Sequence, residues 1–305
     1  MTDDPAARAR PPAVERAWTS RKLLAWTTQA FERAGLDSPR RSAEMLLGHV
    51  IELDRLKLYL DPDRPASDLE RSAFRDLVER ALAHEPVDYL VGYAPFFSMT
   101  LKVGPGVLVP RPSTEALVEH VLQHQRRTSG FALPTAADVG TGSGTIAVAL
   151  AKQWKQRGLA PRIVATDVSE AALDIARQNA QDHGVADAID FRQGDLLEPL
   201  AGERFGYLVS NPPYIPDAEW PDVPPNVKDH EPELALRGGA DGLRCVRPIL
   251  EGAPALLDRP GAIAIEIATA TATPAQAIAE KAGFAHLAVL PDHERLPRVL
   301  VATLE

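Results

Sequence analysis

Asn211-Pro212-Pro213-Tyr214 is the stretch of this sequence whose residue types most narrowly define a reaction. Two consecutive prolines lack N–H donors and have fixed φ, so they hold a stiff, extended loop whose carbonyls stay free. An Asn side-chain oxygen and a proline carbonyl can together accept both N–H bonds of an NH2 group. Tyr214 adds a flat face for a planar substrate. The nitrogen of an amide is a poor nucleophile, because its lone pair is delocalised into the carbonyl. Two acceptors on its hydrogens push density onto nitrogen and aim it at an electrophilic carbon. Positioning lowers the barrier of such an in-line displacement, and the hydrogen bonds help where they strengthen as positive charge develops on nitrogen. Asn211, Pro212 and Tyr214 are thus the candidate catalytic residues. All four residues, Asn211, Pro212, Pro213 and Tyr214, are candidate substrate contacts, and the chemistry needs neither a metal nor a strong base.

The electrophile is indicated by three other sites. Asp138-Val139-Gly140-Thr141-Gly142-Ser143-Gly144 follows a strand-like run and precedes a helix-like one. Glycines there let the backbone turn sharply and approach a ligand without a Cβ in the way, and N–H groups at the helix start are expected to face it. The spacing is neither that of a nucleoside-triphosphate loop nor the dinucleotide fingerprint. Asp167 ends the next strand-like run, about 20 residues on, where an acidic side chain typically accepts ribose hydroxyls. Asp195 ends the third run, where it can accept an adenine amino group while Leu196 packs on the ring. Each feature alone has a plainer reading, a tight turn or a helix cap. In series at three strand ends they outline a nucleoside-bearing methyl donor. Gly140, Thr141, Gly142, Ser143, Gly144, Asp167, Asp195, Leu196 and Asn211 are the expected contacts of S-adenosylmethionine, which would leave as S-adenosylhomocysteine. The residues themselves reach this far: methylation of an amide or amine.

These loops require a particular scaffold. Strand-like runs at Ala136–Val139, Arg162–Thr166, Ala188–Arg192, Gly206–Ser210, Ala262–Ile267 and Val299–Leu304 alternate with helix-like runs such as Thr145–Arg157 and Ser169–Asp182. Alternation of this kind predicts an α/β fold with a parallel sheet covered by helices. Ser113 is a plausible N-cap for a helix from about Thr114, with Leu117, Val118, Val121 and Leu122 on its buried side. Earlier, residues 19–83 carry helical periodicity. Leu23, Thr27, Ala30, Phe31 and Ala34 share one face, and Ala43, Leu46, Leu47 and Val50 another. Leu69, Ala73, Leu77 and Ala81 form a third stripe, begun by a capping box of Ser67 and Glu70. The expected organisation is a disordered lead (1–18), a helical domain (19–83), a Pro/Gly-rich linker with a short hairpin (84–112) and a catalytic domain (113–305).

Bulk properties restrict the setting. Net charge is −9, which argues mildly against nucleic acid as the main partner. No apolar run approaches the roughly 20 residues a membrane span needs, and Met1 to Pro12 lacks the hydrophobic stretch of a signal peptide. With Cys245 the sole cysteine, no internal disulfide or thiolate cluster can form. His49, His84, His120, His124 and His183 show no metal-ligand spacing. The expected setting is cytoplasmic, with no membrane and no bound metal.

Gly140–Gly144 followed by Asn211–Tyr214 resembles the class I methyltransferases that use S-adenosylmethionine on planar NH2 groups. Within these the chain looks most like the release factor glutamine methyltransferases, the HemK or PrmC family. Further motifs carry the likeness from about residue 21 to the end: Glu85-Pro86, Tyr89-Leu90 and Gly92; Val107 to Pro112 with Thr114-Glu115; Glu231-Pro232, Ala235-Leu236, Gly238-Gly239 and Asp241-Gly242-Leu243. The resemblance implies a Rossmann-like sheet of seven mostly parallel strands, with an antiparallel strand near its C-terminal edge. It implies a monomer whose helical domain helps hold a peptide-chain release factor. The target would be the glutamine of that factor's Gly-Gly-Gln motif, methylated at its amide nitrogen and bound by Asn211 to Tyr214.

Two departures stand out. Ser113 occupies a position where the family often has Glu, which would remove any support that Glu gave, and Pro291 to Arg298 fits loosely. Other targets share the Asn-Pro-Pro-Tyr loop. One is a glutamine of a large-subunit ribosomal protein, whose enzymes usually depart from Pro-Arg-Pro-x-Thr-Glu. Another is adenine N6 in DNA, which would call for a target-recognition domain and a less acidic chain. A non-catalytic adaptor is disfavoured by the intact Asn211.

Overall fold

The computed structural model describes residues 18–128 and 134–305. The expected disordered lead, Trp18 apart, lies outside the described residues. The chain divides into two compact units at Val91/Gly92.

The first unit holds helices α1 (Ser20–Arg33), α2 (Pro39–Ile51), α3 (Arg55–Leu60), α4 (Asp68–Leu82) and α5 (Val87–Val91). Leu23, Leu24, Thr27 and Phe31 of α1 are buried, as are Ala43, Leu46 and Leu47 of α2. The capping box of α4 forms: Ser67 Oγ accepts from Glu70 N at 3.2 Å, and the Glu70 carboxylate accepts from Ser67 N at 2.7 Å. The buried stripe of α4 differs from the expected one. Leu69 and Ala73 are exposed, while Phe74, Val78 and Ala81 are buried. The large Phe74 sets the phase, since it and Val78 remove more apolar surface from water than the competing stripe would. Glu44 is buried and receives Arg40 and Arg55, each at 2.6 Å, and the Tyr59 hydroxyl, which joins α2 to α3.

The second unit opens with a hairpin, β1 (Tyr93–Phe96) and β2 (Met99–Lys102). By its Pro/Gly-rich surroundings this hairpin reads as part of a linker. Its Phe96, Met99 and Leu101 are instead buried in the same core as Leu117, Val118 and Val121 of α6 (Pro112–Arg127). The sheet itself comprises β3 (Thr135–Val139), β4 (Arg162–Asp167), β5 (Ile189–Gln193), β6 (Phe205–Ser210), β9 (Leu257–Glu266), β10 (Ala285–Pro291) and β11 (Pro297–Leu304). Its order is β10-β11-β9-β6-β3-β4-β5. All pairings are parallel except those of β11, which runs antiparallel to both β9 and β10. The long helices are α6, α7 (Thr145–Gln156), α8 (Glu170–Asp182), α11 (Val246–Leu256) and α12 (Ala272–Lys281), and the short α9 (Pro225–Lys228) and α10 (Glu233–Leu236) lie between β6 and α11. Two strands outside the main sheet, β7 (Ile215–Pro216) and β8 (Arg237–Gly239), pair in parallel. The sheet separates two apolar cores: α6 and α7 pack on one face, α11 and α12 on the other. β3 and β6 are buried along nearly their whole length, the pattern of central parallel strands.

Candidate active site

A pocket lies at the carboxyl ends of β3, β4, β5 and β6, the edge where open α/β sheets bind ligands. Gly140, Thr141, Gly142, Ser143, Asp167, Asp195, Leu196, Asn211 and Pro213 line it. Gly144, Pro212 and Tyr214 do not. Gly144 instead lets α7 approach α8, since a Cβ there would stand 3.1 Å from that of Ala176.

The glycine loop is held from below. Asp138 is fully buried, and its Oδ2 accepts from Thr141 Oγ1 at 2.7 Å and from Ala147 N at 3.0 Å. Burial pushes its carboxyl up to about 7, against the pull of those two donors. The N–H groups of Gly140 and Thr141 donate to Thr166 O, that of Gly144 to Thr141 O, and that of Gly142 to Asp167 Oδ2. These bonds fix the shape of the loop, and Thr145 and Ile146 at the start of α7 line the pocket beside it. Gly140 and Gly142 have φ of +71° and +56°, and a Cβ on either would project into open space. This is a cradle that side chains would fill, and it suits a flat, close-lying ligand.

Asp167 is bound at both oxygens, Oδ2 by Gly142 N and Oδ1 by Ser169 N, each at 2.9 Å. Burial raises its carboxyl above the usual range, while those N–H groups and that of Val168 oppose the rise. Its remaining lone pairs are the ones open to hydroxyl donors. Leu196, at φ +45°, is held by its own carbonyl, which accepts from Thr166 Oγ1 at 3.2 Å. Cys245 also lines the pocket, and burial raises its thiol pKa.

At the other end, the side chains around Asn211 are organised by Glu266, the last residue of β9. Glu266 is fully buried. Ser113 Oγ donates to its Oε1 at 2.9 Å and Thr114 Oγ1 to its Oε2 at 2.7 Å. The Tyr214 hydroxyl donates to Oε1 at 3.2 Å. Asn211 Nδ2 in turn donates to Thr114 Oγ1 at 3.0 Å. Burial raises the Glu266 carboxyl, against the three hydroxyls and the Arg298 charge. The same burial, with Glu266 adjacent, raises the Tyr214 phenol.

Ser113 is not the N-cap expected from sequence. The helix starts at Pro112, and the serine hydroxyl faces Glu266. A Glu at 113 would set a second carboxylate against this one, whereas the serine supplies a donor.

The Asn-Pro-Pro-Tyr loop is also clasped from outside. A Cβ on Gly238 would come within 2.8 Å of Tyr214 Cα, and one on Gly242 within 2.7 Å of Tyr214 O. Only glycine lets β8 and the turn after it approach the loop this closely. Glu231 accepts from Val109 N at 3.0 Å and Arg111 Nη2 at 2.5 Å, joining two segments of the pocket wall. Ser113 and Thr114 are not among the site residues the sequence offers, and Glu266 sits inside the strand-like run Ala262–Ile267 with nothing local to mark its role. Their partnership spans more than 150 positions, so the only signal was Pro-Arg-Pro-Ser-Thr-Glu as a block.

The family model described as the PrmC N-terminal domain matches residues 22–92, and that described as the methyltransferase small domain matches 111–222. A release factor glutamine methyltransferase of Chlorobaculum tepidum is 40% identical over 94% of this chain and 97% of its own length. One from Rhodopirellula baltica is 38% identical over 92% and 95%. The chain belongs to the release factor glutamine methyltransferase family. A methyltransferase structure from Pyrococcus furiosus, 16% identical, covers 74% of this chain and 96% of that one with a TM-score of 0.50, and it supports the sheet architecture alone. Within this family the Glu231, Gly238 and Gly242 contacts give physical meaning to the motifs that carried the resemblance. Glu231 joins segments of the wall, and the glycines admit the backbone against Tyr214.

Proposed function

We propose that this chain methylates the side-chain amide nitrogen of the glutamine in the Gly-Gly-Gln motif of peptide-chain release factors, using S-adenosylmethionine. The observation that carries the reading is the state of the Asn211 amide. Its nitrogen is committed to Thr114, which leaves its oxygen to accept from an NH2 group. A site for a carboxylate or hydroxyl acceptor would need the opposite end.

When bound, S-adenosylmethionine supplies an electrophilic methyl on sulfur. The cradle at Gly140 and Gly142 would hold its nucleoside, with Asp167 on the ribose, Asp195 on the adenine amino group and Leu196 against the ring. Asn211 Oδ1 and the Pro212 carbonyl would accept the two N–H bonds of the target amide, aligning its nitrogen and raising its electron density. Pro213 bounds the pocket. Tyr214 stands behind the loop and steadies it through Glu266, so its contribution is to placement more than to stacking. The helical unit, matched to the PrmC N-terminal domain, is the part we assign to docking the release factor. The reading carries with it a monomeric cytoplasmic enzyme whose partner is a protein. Among the described residues no helix is long and apolar enough to cross a membrane.

The test is methyl transfer from labelled S-adenosylmethionine to four acceptors side by side: a release factor, its Gly-Gly-Gln→Gly-Gly-Ala variant, large-subunit ribosomal proteins, and an unmethylated DNA duplex. Label on the unaltered release factor alone is expected. Label on a ribosomal protein or the duplex, with none on the factor, would overturn the proposed substrate.

A further inference from the structure

An Asn amide has two ends that differ in chemistry and hardly in shape, so something must decide which end meets the substrate. The hydrogen-bond chain behind Asn211 contains that decision. An ionised carboxylate only accepts, and a hydroxyl has one hydrogen to give. Thr114 gives its hydrogen to Glu266 at 2.7 Å. Toward Asn211 the Thr114 oxygen can therefore only accept, and at 3.0 Å it takes the Asn211 NH2 group. Were Thr114 released from Glu266, its hydroxyl could donate to Asn211 Oδ1. The amide would turn over, and a donor would face the pocket where an NH2 substrate needs an acceptor.

We propose that Glu266 is a positioning residue: through Thr114 it sets the direction of this hydrogen-bond chain and so fixes which end of the Asn211 amide the substrate meets. The inference rests on the methyl-transfer reading above. Ser113 and Tyr214 complete the device. Their hydroxyls occupy Oε1 at 2.9 and 3.2 Å, leaving Oε2 to Thr114. The Tyr214 bond also ties the far end of the Asn-Pro-Pro-Tyr loop to the same carboxylate. Glu266 touches no substrate in this scheme and moves no proton.

Thr114 is the cleanest place to cut the chain. Thr114→Ser keeps the hydroxyl, while Thr114→Val keeps the shape and loses both the donor and the acceptor. We expect Thr114→Val to lower kcat about a hundredfold, the scale of losing one aligned polar group at a reacting centre. The Kd for S-adenosylmethionine and the KM for release factor should stay within about threefold, a margin under 1 kcal/mol. Thr114→Ser should restore kcat to within that same margin. Glu266→Gln should resemble Thr114→Val in kcat, because its NH2 group cannot accept from every hydroxyl now bound.

The decisive measurement is single-turnover methyl transfer in the Asn211→Ala background. There Thr114→Val should cause no further loss, since no amide remains to be oriented. A further loss comparable to that in the wild-type background, or a Thr114→Val enzyme with unchanged kcat, would overturn the inference while leaving the proposed reaction intact. A wild-type enzyme that labels no release factor would overturn the reaction and the inference together.

Discussion

The N–H of Gly142 donates to the carboxylate of Asp167 at 2.9 Å, binding the loop after β3 to the end of β4. The residue proposed to hold the ribose thus also shapes the loop proposed to lie under the nucleoside. Such coupling preorganises the pocket, because each partner is held before a ligand arrives.

Asp167→Ala removes both functions at once. The Kd for S-adenosylmethionine is expected to rise at least about tenfold, the equivalent of one charge-assisted hydrogen bond. Isothermal calorimetry on the folded variant checks this. Binding as tight as in the parent would remove Asp167 from the cofactor site.

Asn211→Ala should do the reverse. Affinity for S-adenosylmethionine should change little, while the methyl-transfer rate falls about a hundredfold or more. Titration calorimetry paired with single-turnover labelling separates the two. Abolished cofactor binding would show that Asn211 is chiefly a cofactor residue.

Two glycine substitutions should fail in different ways. Gly142→Ala places a methyl in open pocket space at φ +56°. It should cost about 1–2 kcal/mol of stability and weaken cofactor binding at least about tenfold. Gly238→Ala meets the Tyr214 backbone at 2.8 Å, so it should spare cofactor affinity and lower kcat by displacing the loop. Thermal melts, calorimetry and kinetics on the pair check this, and identical profiles would refute the distinction.

His120 on α6 gives the second unit a pH dependence. Burial first, then the nearby His124 and Arg127, lowers its imidazole to about 4. As pH falls, the unfolded chain takes up this proton first, near the ordinary value of about 6.5. The stability linked to His120 is therefore fully present above about pH 6.5 and is lost as pH falls from there through about 4. His120→Gln should flatten the decline in melting temperature across this window. Parallel curves for variant and parent would exclude His120 as the source.

What could be read from the sequence was what lies in one short stretch. Gly140 to Gly144 and Asn211 directly follow strands, Asp167 ends one and Asp195 lies two residues beyond another, so the alternation of strand and helix places them at one sheet edge. The Glu266–Thr114–Asn211 chain could not be read this way, because its members come from β9, α6 and the loop after β6. Only the folded sheet brings them together. The bonds that shape the glycine loop could not be read either, because the acceptors of Gly140, Thr141 and Gly142, which are Thr166 and Asp167, belong to a neighbouring strand. On α4 the apolar residues allowed two stripes one position apart, and the size of Phe74 decided between them. β10 escaped notice because its residues are only partly covered at the sheet edge, which blurs the alternation a half-buried strand shows.

Asn179, buried on α8, accepts from Lys102 N at 2.7 Å and donates to Lys102 O at 3.0 Å and to Ser143 O at 2.9 Å. Glu115 likewise accepts from Phe97 N at 2.8 Å. The hairpin is therefore stitched to the glycine loop through one side chain and to α6 through another. For anyone cutting the gene, this moves the boundary of a minimal catalytic fragment. A piece beginning at 113 would strip Phe96, Met99 and Leu101 from the core and leave Asn179 without the strand it clasps. A piece beginning at Gly92 keeps both seams closed.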